Sequence, residues 1–513
     1  MKHDVIVIGS GLGGLLASAL LAKRGMAVLL LEQHSIPGGY CTSYRRQGFL
    51  FDIPSVMNKV GGELAESLES LGFYDEIDWV NIRNFAKYVY PDLEVVMPAN
   101  DIEGCRANMH KAFPSEKTAI DRIFGEMEKL KRDLEMLQGG TRSVRSLFSL
   151  GLAIARFVRL SRVSWYDYLS AFTSNPRLVA VLSTLWGYAG LPPGKATALS
   201  LLTMSGSCYG SLMLFPREGF QCVSDFLARK LTGFGGEIRY NTRVTRILVR
   251  DGAAGGVQTE SGETLFAGTV VSNADSRRTV LELVGREQLP ARFVSRVAAY
   301  TPSASGLSLQ VGTNLDLSKH DLMYAQVFYN ESWEDGDGFY RRAVANELDL
   351  ELDRIPIGLQ ASSLLSSKLA PHGMHTLHIL VAPVSREYMS SFGTTNGVRG
   401  DRYRCVKAKL TEILIRKVES IIPRLSSAVL VSDLSTPLTF ERYTGATDGA
   451  WYDRVIRAGD KPNIPSSRTP IANLYFTGTK AMGGGGMPCA LMGGAQAARA
   501  ILGRKGRPLE LGT

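Results

Sequence analysis

The chain has 513 residues, 45% hydrophobic and 21% charged, with a formal net charge of +9. That length exceeds one ordinary core and points to two domains, and the basic balance favours anionic partners. Its six cysteines are scattered without a CxxC pair, which excludes a zinc-finger spacing and a secreted disulfide framework and fits a reducing compartment.

Asp4 to Ile8 is a continuous apolar run of the kind buried in a parallel sheet. It opens straight into Gly9-Ser10-Gly11-Leu12-Gly13-Gly14, and a helix is expected from Leu15 to about Arg24. A second strand, Ala27 to Leu31, ends at Glu32. Each choice has a reason in a dinucleotide site. Gly9 permits the turn, Gly11 lets a pyrophosphate approach the backbone, and Gly14 lets the helix pack on the strand. The helix N-terminus offers free N–H donors to phosphate. Glu32 can accept hydrogen bonds from ribose hydroxyls and would repel a 2′-phosphate, which argues against NADP. A second glycine pair, Pro37-Gly38-Gly39-Tyr40, follows the acid. The strand at Asp4 leaves no room for a signal peptide, and no run of about 18 apolar residues is long enough to span a bilayer. A cytoplasmic protein is therefore expected.

A helix is expected near residues 142–162. Leu147 to Ile154 is apolar apart from Ser149 and Gly151, and Arg142, Arg145, Arg156 and Arg159 fall on one helical stripe. The pattern suits a membrane-interface helix or a core helix with a solvated arginine edge. A second block runs from Leu214-Phe215-Pro216 to Val270-Val271-Ser272-Asn273-Ala274-Asp275, with a helix from Val223 to Leu231 and strands at Arg243 to Arg250, Val257 to Glu260 and Thr269 to Ser272. His372, His375 and His378 have no metal-ligand spacing and are read as a loop leading into a strand from Thr376 to Val384, so no metal site is expected. A third block begins at Pro437-Leu438-Thr439-Phe440-Glu441-Arg442-Tyr443. Its core is Leu474 to Gly478, then Gly483 to Gly486, Met487 and Pro488. Pro488 is expected at the first position of a helix running to about Leu502. No nucleic-acid-binding motif occurs.

These three blocks, in this order, resemble the phytoene desaturase superfamily of FAD oxidoreductases, which includes carotenoid isomerases and retinol saturases. Together they span a little under half the chain. The segment Trp186 to Pro193 also resembles the isomerase and saturase branch. The resemblance implies an α/β fold with a Rossmann-like FAD-binding domain built from discontinuous segments, 1–80, 212–300 and 430–513. An α+β substrate domain, 81–211 and 301–429, is interleaved with it. It implies FAD contacts from Gly9, Ser10, Gly11, Gly13, Gly14, Glu32, Gly38, Gly39, Tyr40, Val244, Gly478, Gly486 and Met487. Where the family often places an arginine after the glycine pair, this chain has Tyr40, so phosphate charge is assigned to Arg45 or Arg46. The family's proline is Gly483 here, and its glycine is Cys489. The Phe-Asp-x-Gly stretch is one residue shorter, at Phe51 to Ser55, close to the expected flavin ring.

The activity implied is redox at carbon: desaturation, saturation or isomerisation of an apolar, polyene or isoprenoid-like substrate by hydride exchange with flavin N5. Glu441 is the candidate acid–base residue, with an arginine ion pair as its alternative role. No second nucleotide motif is present, so a separate electron donor or acceptor is required. An anionic membrane surface is a candidate partner, with the protein peripheral to it. Two other readings use the same fold: an amine oxidase-like flavoenzyme, and a flavin-free lipid binder of the GDP-dissociation-inhibitor type.

Overall fold

The computed structural model describes residues 3–138, 144–333, 336–344, 356–384, 386–395, 398–460, 466–482 and 484–504. The expected α/β class is observed, with two seven-stranded sheets and helices packed around them. In the first sheet, strand β1 (His3–Ile8) lies between β2 (Val28–Leu31) and the strand Thr264–Ser272. All three pair in parallel, and Leu474–Phe476 and Glu237–Arg239 add further parallel strands. Val5, Ile6 and Val7 are fully buried, as are Leu29 and Leu30. Helices cover both faces of such a strand, which is why its sequence runs apolar instead of alternating.

The helix α1 (Leu12–Lys23) starts earlier than its apolar pattern suggests, because the glycines themselves form the first turn. Its N-cap is Gly11, with no capping side chain and no acidic residue in the first turn. The C-terminal helix Gly486–Arg504 packs on it through glycine. A Cβ on Gly494 would stand 2.7 Å from the Gly13 carbonyl oxygen, and one on Gly493 would stand 1.9 Å from that of Gly478. Pro488 is the third residue of this helix, not the first, and Gly483 lies outside the described residues.

The second sheet runs in the order Val429–Ser435, Leu307–Thr313, His375–Val381, Ile357–Gln360, Gln326–Tyr329, Asn84–Tyr90 and Leu93–Pro98. Strand Val429–Ser435 therefore sits in this sheet, across the expected boundary at 430. One register level carries Gln310, His378 and Gln360 side by side, Gln326 opens the next strand, and all four are buried. A loop leading into a strand from Thr376 to Val384, with His378 inside the strand, is expected, and the strand begins one residue earlier. His372 is exposed, whereas His375 opens the strand and His378 is fully inside it. Helices Lys117–Gln138, Val144–Arg162 and Ala198–Gly210 pack together beside this sheet. Among the described residues no helix is long and apolar enough to cross a membrane, and no metal-binding cluster occurs.

Candidate active site

One cavity of about 970 Å³ connects the two sheets. That is at the upper end of the roughly 300–1,000 Å³ usual for ligand sites. At one end stand Gly9, Gly11, Gly13, Glu32, Thr242 and Val244; in the middle stand Gly38, Gly39, Tyr40, Gly478 and the run Gly484 to Cys489. At the far end the walls are mainly apolar: Phe85, Leu134, Phe157, Leu191, Leu199 and Met204.

The glycine turn is built by exclusion of side chains. A Cβ on Gly11 would come within 2.7 Å of Asn273 Nδ2, one on Gly13 within 2.4 Å of Gly478 Cα, and one on Gly14 within 2.2 Å of the Gly9 carbonyl oxygen. The space kept free in front of α1 is bordered by unpaired backbone donors, a setting for phosphate. Glu32 closes the end of β2. Its Oε2 accepts from the Ser10 amide at 2.8 Å and the Ser10 hydroxyl at 2.6 Å, and its Oε1 accepts from the His34 amide at 2.9 Å. Ser10 is thus turned away from the cavity and holds Glu32 in place. Gly14 does not border the cavity; it packs the helix onto the turn. Gly38, with φ of 130°, donates its amide to the Ser10 carbonyl at 3.0 Å, which joins the second glycine pair to the first. The residues present fit a bound dinucleotide: the glycine cradle would be filled by any Cβ, and the acid stands where a ribose would be met.

Two residues assigned from the sequence do not border the cavity. Arg45 is exposed on the hairpin of Ser43–Arg46 and Phe49–Asp52 and does not border the cavity, and the neighbouring Arg46 lies 3.7 Å from Asp433. Glu441 also fails to reach the cavity. Its helix, Pro437–Thr444, turns Phe440, Tyr443 and Thr444 inward, while Glu441 accepts from Arg386 Nε at 2.8 Å. The ion-pair alternative describes Glu441, with Arg386 as the partner.

Of the other wall residues, Ser308, Cys208 and Tyr452 carry no motif that sequence reasoning could have used, whereas Tyr40, Tyr188 and Cys489 lie in segments singled out above. Tyr188 donates its hydroxyl to Gln326 Oε1, and Tyr40 donates to the Ala450 carbonyl at 2.7 Å. Ser308 shares a 2.7 Å hydrogen bond with buried His378. Burial raises the Tyr40, Tyr188 and Tyr452 phenols above their ordinary range and pushes the Cys208 thiol up to about 12 and the Cys489 thiol up to about 11. These phenols and thiols stay uncharged at neutral pH, because desolvation disfavours the charged form. Asp453 is raised as well, by burial, against the opposing field of Lys480.

The fold and the glycine cradle define a dinucleotide-binding protein of the Rossmann type. Residues 7–63 match the family model of the NAD(P)-binding Rossmann-like domain. The whole chain is similar to prolycopene isomerase from Daucus carota, 26% identical with 98% of this chain and 80% of the relative covered. It is also similar to a neurosporene-forming phytoene desaturase from Cereibacter sphaeroides, 26% identical with 94% and 91% covered. The similarity to these isomerase and desaturase sequences, whose family the motifs resemble, thus runs over 94–98% of this chain. Among solved structures, putrescine oxidase shares the fold, with a TM-score of 0.64, 16% identity and 98% and 100% of the two chains covered.

Proposed function

We propose that this chain is an FAD-dependent oxidoreductase acting on carbon–carbon bonds of an elongated apolar polyene or isoprenoid-like molecule. The observation that carries the reading is the continuity of one cavity, from the glycine turn and Glu32 to an apolar far end. A dinucleotide alone needs no such extension. The names of the relatives, a carotene isomerase and a phytoene desaturase, supply the substrate class.

In this reading Gly9, Gly11 and Gly13 receive the pyrophosphate, Glu32 the ribose, and Val244 the adenine side. Gly38, Gly39 and Tyr40 continue the cradle; Gly478, Gly486 and Met487 hold the flavin end. Segments 1–80, 212–300 and 430–513 build the cofactor domain, with strand Val429–Ser435 passing into the substrate sheet. Bound flavin supplies two-electron chemistry, the gain or loss of a hydride at carbon. The protein's part is orientation and exclusion of water. Gln310 donates to the Asp52 carbonyl at 2.6 Å and Gln360 to the Ser55 carbonyl at 2.7 Å. These two bonds pin the Ile53 to Val56 wall, which borders the cavity and would set the depth of the substrate. A separate donor or acceptor handles the electrons.

The reading also has a surface. Of the arginine stripe expected near 142–162, the two described side chains are paired. Arg156 lies 3.3 Å from Asp133 and 3.7 Å from Glu126, and Arg159 lies 3.2 Å from Glu126, all on the neighbouring helix. Arg142 lies outside the described residues, as does the side chain of Arg145. Leu152 and Ile154 on that helix are 54% and 50% exposed, and Phe157 and Ser161, further along it, border the cavity. Apolar contact with a membrane, through Leu152 and Ile154, replaces the arginine-led contact.

The test is direct. Protein carrying chemically reduced flavin, mixed with cis and all-trans polyenes without oxygen, should change the isomer ratio or the bond count, as read by chromatography and mass spectrometry. Oxidised protein should desaturate or stay silent. Amine-dependent peroxide with no change in any polyene would move the chain to the amine oxidase reading.

A further inference from the structure

Arg45 and Arg46 do not supply the cavity with positive charge, so other groups must be considered. Among the described residues four Lys or Arg side chains border it: Arg243, Arg278, Arg454 and Lys480. Two of them have carboxylate partners. Arg243 lies 3.3 Å from Glu260 and Arg278 lies 3.3 Å from Glu282. Arg454 and Lys480 form no ion pair and no hydrogen bond among the described residues.

Arg454 is the unusual one. It is only 6% exposed, its Nε has no partner, and its guanidinium sits 4.5 Å from the centroid of the Tyr300 ring. A buried charge is normally paired or bound to a ligand, because losing water is expensive. The ring face offsets part of that cost and supplies no acceptor for the N–H groups. The adjacent Asp453 does not serve: its carboxylate accepts from the Ser276 amide at 3.1 Å and from the Ser276 hydroxyl at 2.9 Å and 3.1 Å.

Position narrows the ligand. Lys480 follows Gly478 by two residues, and Gly478 Cα would lie 2.4 Å from a Cβ on Gly13. Ser276, which anchors Asp453, follows Asn273, whose Nδ2 donates to the Gly9 carbonyl at 3.4 Å. Lys480 thus follows a segment that abuts the glycine turn, and Arg454 follows Asp453, which is tied to the segment carrying Asn273.

We infer that Arg454 and Lys480 are an anion-receiving pair of this cavity, and that their ligand presents a phosphate or carboxylate oxygen. Two sources share that chemistry: the pyrophosphate of the bound dinucleotide, and an acid terminus on the elongated substrate. The first source rests on the flavin reading; the second does not.

The experiment uses the full chain, stripped of any bound flavin, as wild type, Arg454→Met, Lys480→Met, the double variant, and Arg454→Lys as the charge-keeping control. Three probes are titrated: FAD, a long polyunsaturated carboxylate, and its methyl ester. If the pair meets the pyrophosphate, the double variant binds FAD at least tenfold more weakly, and Arg454→Lys recovers most of the loss. If it meets a substrate acid, FAD affinity is unchanged, wild type prefers acid over ester at least tenfold, and the double variant loses that preference. The ligand-free Arg454→Met protein should melt no lower than wild type, since an unpaired buried charge has been removed. A double variant that matches wild type on all three probes overturns the inference. Wild type that refuses FAD sinks the flavin reading, and the acid–ester comparison still tests the pair. If no variant folds, inorganic pyrophosphate against wild type decides: competition with FAD or the carboxylate supports the pair, and no competition overturns it.

Discussion

The two sheets face one cavity and are built on different principles. The first is apolar through its thickness: β1 and β2 contribute strands with almost every residue buried and hydrophobic, and it presents its ligand with backbone at a glycine turn. The second carries a buried polar rung, Gln310, His378 and Gln360, with Gln326 opening the next strand, and meets the cavity wall with side chains. A backbone cradle reads charge and shape that every dinucleotide shares. A side-chain wall can be changed one residue at a time, so the proposed function assigns substrate choice to the second sheet.

The comparison is broken most severely at Gly13. A side chain there meets Gly478 backbone at 2.4 Å and 2.5 Å and the Ala490 carbonyl at 2.9 Å, and none of these can swing aside. Gly13→Val should cost about 3 kcal/mol or more, since overpacking against backbone is not relieved by rotamer change. Flavin content after purification should fall to near zero, and thermal melting should shift down.

On the second sheet, Gln310→Leu leaves the Asp52 carbonyl without its 2.6 Å donor. An orphaned buried acceptor costs about 1–3 kcal/mol. Urea unfolding should show that loss, while the dissociation constant for FAD stays within about threefold of wild type, a margin of roughly 0.6 kcal/mol. A large loss of FAD affinity would mean that the two sheets are not separate in function.

Asp52 sits where the two regions meet. Its Oδ1 accepts from the Ser43 hydroxyl and from the Phe220 amide at 2.8 Å, its Oδ2 has no partner, and burial pushes its carboxyl up to about 6. An acid raised above its unfolded value of 3.8 holds more protons in the folded chain between those two pH values. Its contribution is therefore fully present below pH 3.8 and is lost as pH rises through about 6. Asp52→Asn should stabilise the protein at pH 8 by up to about 3 kcal/mol, and the advantage should fade toward pH 4. Paired urea titrations at the two pH values check both the sign and the window. His378 runs the other way: burial lowers it from 6.5 to about 3, so its neutral contribution is lost as pH falls from 6.5. The measured slope for wild type between pH 4 and 6 should accordingly be shallower than for the variant lacking either group.

The smallest effect belongs to Glu441. It and Arg386 are 35% and 36% exposed, and such pairs are worth less than about 1 kcal/mol. Glu441→Gln should retain turnover and flavin, with melting nearly unchanged; a loss of turnover with flavin retained would restore its role in acid–base chemistry.

The contrast between the sheets also explains what the sequence disclosed. The strand, the glycine turn and Glu32 were legible because backbone geometry forces glycine at fixed spacing, and a strand buried on both faces forces an apolar run. Side-chain function has no such spacing. Arg45 is a phosphate candidate only because Tyr40 stands where the family often has arginine, and a hairpin turns it outward. Glu441 lay in the right helix with its side chain outside the inward arc. His378 sits on a strand between Gln310 and Gln360 of two other strands, so its burial came only with the sheet. Arg454 and Lys480 belong to no pattern at all; their meaning comes from the missing partner.

The central claim is that the glycine turn and the Gly484 to Cys489 run close on a single flavin dinucleotide. Titration of FAD into the ligand-free full-length chain, followed by visible absorbance, tests it most directly. The account predicts saturable uptake of one FAD per chain with a shifted flavin band, weakened by Gly13→Val. A chain that is correctly folded and leaves the FAD spectrum and affinity at the free-solution values would contradict it.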